Sequence, residues 1–221
     1  MPDGPVGDPG TRRDAADPVD PVVRLGPRVD ESLAVALERL RAERGARVVV
    51  LDLGEAEGTW DDVAHRALLA RCVRAVLATD LPVVAVLGDR VTTATCAVAL
   101  ACDAVVADRS TSVQIAPPAV GGLSLTLPAA VGRLRARRML LLGEAVTAVS
   151  AADWGVVTHL APSGSTARAR ADAVVRALLE ADALTLAGTR RVLDADLAAR
   201  LEEALAHEDR TASLLARHAA R

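Results

Sequence analysis

Residues 88–103 read GDRVTTATCAVALACD and follow the apolar run LPVVAVL. The run predicts a buried strand, and the second half of the segment predicts a helix packed in a core. The turn between them is built from β-branched residues, Thr92, Thr93 and Thr95, with the thiol of Cys96 close behind. A threonine hydroxyl here can cap the helix or donate to a bound group. Capping accounts for one of Thr92 and Thr93 and leaves the other open. A thiol at a helix start can be an activated nucleophile, but the apolar flanks of Cys96 favour core packing. Upstream, His65 lies four residues before Leu69, on the apolar face of a helix expected over 60–78. Such a histidine either does acid–base work or rests, hydrogen-bonded, at the edge of the core. Asp61 and Asp62 fit the first turn of that helix, where carboxylates complement the dipole. Glu57 stands in the loop before it, as a solvated acid or as an acid–base group facing a pocket.

Arg133, Arg135, Arg137 and Arg138 cluster on a further helix, either as a solvated face or as a phosphate contact. His159, His207 and His218 lack metal-ligand spacing, and Cys72, Cys96 and Cys102 form no CxxC pair, so no metal is expected. The cysteines read as buried free thiols.

The elements that must position these groups follow from apolar periodicity. Strands are expected at 21–26, 47–53, 82–87, 104–108 and 155–160, with a short extended piece, SVQIA, at 112–116. RVVVLDL and PVVAVL are continuous apolar runs, as expected of strands covered on both faces. Helices are expected from Asp30 to a stop at Gly45, then over 60–78, 93–101, 125–142 and 148–154, with two more after Ser165. Strand and helix alternate to residue 160, which gives an α/β class with largely parallel pairing. Residues 1–20, rich in Pro, Gly and Asp, are expected to be a disordered tail.

Composition narrows the function classes. The chain has 221 residues and a net charge of −3, with neither phenylalanine nor tyrosine and two tryptophans, Trp60 and Trp154. A basic field and stacking aromatics, the marks of a nucleic-acid binder, are missing. Neither a membrane-spanning run nor a signal-like N-terminus appears, so a cytoplasmic protein without a membrane partner is expected.

Three stretches, in order, resemble the crotonase (enoyl-CoA hydratase/isomerase) superfamily. They are LPVVAVLGDRVTTATCAVALACDAVVAD, RMLLLGEAVTAVSAADWGVVTHLAP and TRRVLDADLAARLEEALAHED, and the likeness runs over roughly residues 21–215. The resemblance implies a ClpP/crotonase-like ββα superhelix core over 21–164 and a helical oligomerisation segment over 165–221. It implies a coenzyme A thioester as substrate, no permanently bound cofactor, and a homotrimer or hexamer. Two backbone N–H groups would polarise the thioester carbonyl, one after the VVVLDL strand and one at the glycine-rich turn.

That glycine turn aligns with Thr93, Ala94 and Thr95. Backbone donors need no glycine, so Ala94 keeps the role, with the second donor near Trp60 or Asp61. Without glycine, the turn has to avoid positive φ or carry strain. The two hydratase glutamates fall at Ala97 and near Pro117, neither an acid, so hydration by a glutamate pair is not expected. Acid–base work then falls to His65 or Glu57, and Thr93 and Thr95 are the hydroxyls able to reach the thioester. Arg190 and Arg191 align with basic residues of the family's C-terminal helices and are the expected coenzyme A contacts. The structurally related Clp-type peptidases fit less well, since no histidine follows the turn closely.

The implied activity is dehydration, decarboxylation or isomerisation through a stabilised enolate, in secondary metabolism. The alternative is a non-catalytic auxiliary of a polyketide-type synthase. Compact, motif-eroded relatives of dihydroxyphenylglycine biosynthesis resemble the chain in this respect.

Overall fold

Runs of valine, leucine and alanine that bury both faces can pair only inside a layered structure, and this is where the chain puts them. The computed structural model describes residues 20–40, 45–54, 56 and 59–219. The expected disordered tail lies outside the described residues except for Asp20. The main sheet holds β1 (Val22–Leu25), β2 (Val48–Leu53), β3 (Val83–Leu87), β5 (Ala104–Ala107) and β8 (His159–Leu160). Their order is β1-β2-β3-β5-β8, and every pairing is parallel. A smaller sheet joins β4 (Arg90–Val91), β6 (Ser112–Val113) and β7 (Val146–Thr147), with β6 in the middle.

Eight helices are described: α1 (Glu31–Arg39), α2 (Val63–Ala78), α3 (Thr93–Ala99), α4 (Leu123–Val131), α5 (Arg133–Leu142), α6 (Ala148–Trp154), α7 (Ala167–Glu180) and α8 (Ala183–Ala219). Period-two alternation splits β2 between two cores. Val49, Leu51 and Leu53 face the large core under α1, α2, α3 and α4. Val48 and Val50 face a smaller one, closed by Ala167, Ala171 and Val175 of α7.

Several boundaries differ from expectation for local reasons. The expected 125–142 helix is two helices, because Gly132, at φ +81°, stands between them. The 155–160 strand shrinks to two residues, while Val156 and Val157 stay buried in the turn after α6. The 60–78 helix starts later, because Asp62 is its N-cap and accepts from the Ala64 N–H at 2.8 Å. The two-residue β4 and β7 are too short for period-two alternation to reveal.

α8 is fastened to the rest by buried charge. Arg190, 7% exposed, gives its Nε to both carboxylate oxygens of Asp103 at 2.9 Å. Its other nitrogens donate to the carbonyls of Val76 and Thr79, which end α2. Further along, Glu208 accepts from the amides of Gly122 and Ser124, both at 2.7 Å, and so caps α4, whose N-cap glycine has no side chain to do it. Removing Arg190 would leave the buried carbonyls of Val76 and Thr79 without a donor. Replacing Arg190 by Met should therefore cost about 3 kcal/mol of unfolding free energy in urea titrations, whereas Arg191→Met, at an exposed pair with Asp80, should leave the urea midpoint nearly unchanged.

Candidate active site

The ends of β2 and β3 deliver the two segments that form the site. Gly54 and Gly88 follow these strands and pack on each other. A Cβ added at Gly88 would stand 3.2 Å from the Gly54 Cα, and the Gly88 N–H donates to the Leu53 carbonyl at 3.0 Å. From this narrow point the chain diverges, one branch to the turn before α2 and the other to the turn before α3. Between them lies a cavity of about 500 Å³. The predicted residues that line it are Trp60, Asp61, His65, Thr93 and Ala94. Ala56, Thr59, Thr92 and residues 116–118 complete the wall with Val120.

The threonine turn avoids positive φ. Thr92 is extended, at φ −90°, and no non-glycine residue among those described has positive φ. Thr92 is the N-cap of α3, and Thr95 closes a capping box by accepting from the Thr92 N–H at 2.8 Å. This places the Thr95 hydroxyl, fully buried, inside the turn and not on the cavity wall. Thr93 takes a different partner. Its hydroxyl donates to the Ala116 carbonyl at 3.1 Å and accepts from the Ala116 N–H at 3.0 Å, which pins 116–118 to the helix start. First-turn amides have no intrahelical acceptor, and the Ala94 N–H donates to no acceptor among the described residues.

One turn on, Ala97 is completely buried against Gly121. A Cβ at Gly121, itself at φ +67°, would sit 2.9 Å from the Ala97 Cβ. Position 121 therefore takes no side chain while Ala97 packs against it. Pro117 lines the cavity and precedes Pro118. Cys96 is also buried, and desolvation pushes its thiol up to about 12, so it is an inert thiol and a packing residue.

The opposite wall is the turn 59–62. The Asp62 N–H donates to the Thr59 carbonyl at 3.2 Å, and the Thr59 hydroxyl donates to the Asp61 carboxylate. That bond holds the Asp61 carboxyl below its ordinary range. His65 follows on the first turn of α2 and is 7% exposed. Burial lowers its pKa below the ordinary 6.5, against the opposing pull of Asp62. At neutral pH the ring is therefore mostly uncharged and able to take a proton. None of the described residues hydrogen-bonds the ring. Glu57 lies outside the described residues, so Asp61 and His65 are the titratable side chains on the described wall. Arg66, 5% exposed, holds this turn from behind through the carbonyls of Trp60 and Asp61. Sequence reasoning missed it, because an arginine in an amphipathic helix reads as a solvated charge. It also missed Ala56, whose backbone pairs with Val29 at the cavity's edge.

The two C-terminal arginines lie elsewhere. Arg190 is consumed by the clamp on Asp103, Arg191 pairs with Asp80 at 2.8 Å, and neither lines the cavity. Of the α5 cluster, Arg135 and Arg138 lie over the Trp154 ring, 5.2 and 5.5 Å from its centre. Among the described residues no three His, Cys, Asp or Glu side chains group as a metal site, and no helix is long and apolar enough to cross a membrane.

Known proteins share this architecture. The enoyl-CoA hydratase/isomerase family profile matches residues 25–220. A solved enoyl-CoA hydratase from Mycobacterium avium subsp. paratuberculosis is 30% identical, with 88% of each chain covered and a TM-score of 0.76. One from Bacillus halodurans, 19% identical, shares the fold at a TM-score of 0.74, with 88% of this chain and 90% of that one covered. A Thermus thermophilus protein named "Putative enoyl-CoA hydratase" is 31% identical over 160 residues, and the match spans 63% of each chain. With the profile matching residues 25–220, nearly all of those described, the chain belongs to the enoyl-CoA hydratase/isomerase family.

Proposed function

We propose that this chain acts on an acyl thioester, bound with its carbonyl at the start of α3, and stabilises the enolate without a glutamate pair. The observation that carries the reading is the cavity that brings the unpaired Ala94 N–H and the mostly neutral His65 to facing segments at the strand ends. The Ala94 amide and a second donor near Trp60 or Asp61 would hold the carbonyl oxygen as it gains charge. In an isomerisation, His65 would take the α-proton and return it to the γ-carbon. In a decarboxylation, the carboxylate leaves as carbon dioxide and protonated His65 would quench the enolate. The described wall offers no carboxylate pair for hydration, since its one carboxyl, Asp61, is held by Thr59. Thr93 serves as the buttress of the helix start, and Thr95 closes the capping box on Thr92. We place the activity in secondary metabolism, in the cytoplasm, and in a homotrimer or hexamer joined through the apolar side chains that α5 and α8 expose, Leu134, Leu141, Leu184 and Leu193 among them.

A second reading rests on the same face. Those exposed leucines also suit a non-catalytic auxiliary that docks on a polyketide-type synthase.

Calorimetric titration with coenzyme A and acetoacetyl-CoA separates the two. Saturable binding, tighter for the acyl form, supports the thioester reading. An absence of binding at millimolar ligand overturns it and leaves the auxiliary role, tested by co-purification with such a synthase. If a thioester is turned over, His65→Ala should lower kcat about a hundredfold with the Tm little changed, and unchanged kinetics would remove His65 from the mechanism. In an isomerisation, where neutral His65 takes the proton, kcat/KM should rise with pH to a plateau with its midpoint below 6.5, because burial lowers the His65 pKa; in a decarboxylation, which needs the protonated ring, it should fall over the same range. In either case the folded state favours the neutral ring, so acidification below about 6.5 lowers the Tm, less steeply in His65→Ala.

A further inference from the structure

A guanidinium with one face on the cavity turn and the other on the last helix is out of place in a merely solvated position. Arg66 is 5% exposed and spends its nitrogens on four partners. Nη1 donates to the carbonyls of Trp60 and Asp61 at 2.8 and 3.1 Å. Nε donates to the Asp209 carboxylate at 2.8 Å, and Nη2 to the Ser213 hydroxyl at 3.0 Å, both on α8. The peptide unit is planar and trans, so the Trp60 carbonyl and the Asp61 N–H point in opposite directions. A bond that draws the carbonyl toward Arg66 turns the Asp61 amide the other way. Among the described residues its other bonds run from the Asp62 N–H to the Thr59 carbonyl, from the Thr59 hydroxyl to the Asp61 carboxylate, and from the Ala64 and Arg66 amides to Asp62. A fork with fixed geometry suits this task better than a point charge.

We infer that Arg66 is a positioning residue, which orients the Trp60–Asp61 turn for carbonyl recognition and makes that orientation depend on the docking of α8 through Asp209 and Ser213. The inference rests on the thioester reading above. α8 then acts on the chemistry without touching the substrate. Asp209 sits on the rim of a second cavity, about 320 Å³, between α2 and α8, with Val120 common to both cavities. Anything that shifts α8 over that cavity pulls on the same guanidinium.

The test uses the full chain in a Trp154→Phe background, where Trp60 is the one fluorophore of its kind. Acrylamide quenching of Trp60 reports the order of the turn. The ratio of the dissociation constants for coenzyme A and acetoacetyl-CoA reports carbonyl recognition alone. Arg66→Met should raise the quenching and cut the acyl preference by about tenfold or more, the scale of a misplaced oxyanion donor, while affinity for coenzyme A itself barely moves. Asp209→Asn and Ser213→Ala, which leave both carbonyl bonds in place, should shift both readouts in the same direction but less. If Arg66→Met fails to fold, Arg66→Lys carries the comparison, since an ammonium keeps the charge but cannot bridge both carbonyls and α8. A parent protein with acyl preference and an Arg66 variant with the same preference would overturn the inference alone. Quenching unchanged by the substitution does so too. A parent with no acyl preference overturns the thioester reading and this inference with it.

Discussion

Two glycines in contact fix what the rest of this molecule can do. Where β2 and β3 end, a Cβ at Gly88 would meet the Gly54 Cα at 3.2 Å, and one at Gly54 would meet the Pro27 carbonyl oxygen at the same distance, so neither position takes a side chain without a shift. Their contact holds the two strands in register to their last residues, Leu53 against Leu87. Everything beyond must then diverge, because two paired strands cannot continue once their loops separate. One branch climbs to the turn before α2, the other to the turn before α3, and the gap they leave is the cavity. The position is the expected one for a parallel α/β sheet, whose ligands bind beyond the carboxyl ends of the strands.

The walls differ in how they are held. The α3 wall is stiffened from within, by a capping box and by the paired bonds between Thr93 and Ala116. The α2 wall is stiffened from outside, by an arginine that reaches α8. The first arrangement lets β-branched residues form the turn, since an extended N-cap asks nothing of positive φ. It also shows why two adjacent threonines diverge in role: Thr92 is spent on the helix, and Thr93 on its neighbour.

Much of this was legible in the sequence. The apolar runs of β2 and β3 are long and uninterrupted, so burial on both faces could be read from them. The three family-like stretches gave the order of elements beyond. The side chains brought together at the cavity, His65, Thr93, Asp61 and Trp60, could be singled out because the family resemblance puts the carbonyl donors after the β2 strand and at the start of α3. Arg190 could not. Its sequence neighbourhood is a charged helix, and its four acceptors lie between 4 and 114 residues away. Arg66 escaped for the same reason. A buried charge is defined by partners that one-dimensional spacing does not reveal, whereas a buried valine is defined by its own run.

The bonds that complete the α2 wall span 143 and 147 residues. Protein chains are made from the N-terminus and begin to fold as they emerge. The sheet from β1 to β5 can pair while the last helix is still being synthesised. The wall of the cavity cannot be finished until Asp209 and Ser213 are free to dock. Leu201 and Leu205 of α8 belong to the main core as well, so the core and this wall are both completed only once the last helix has been made.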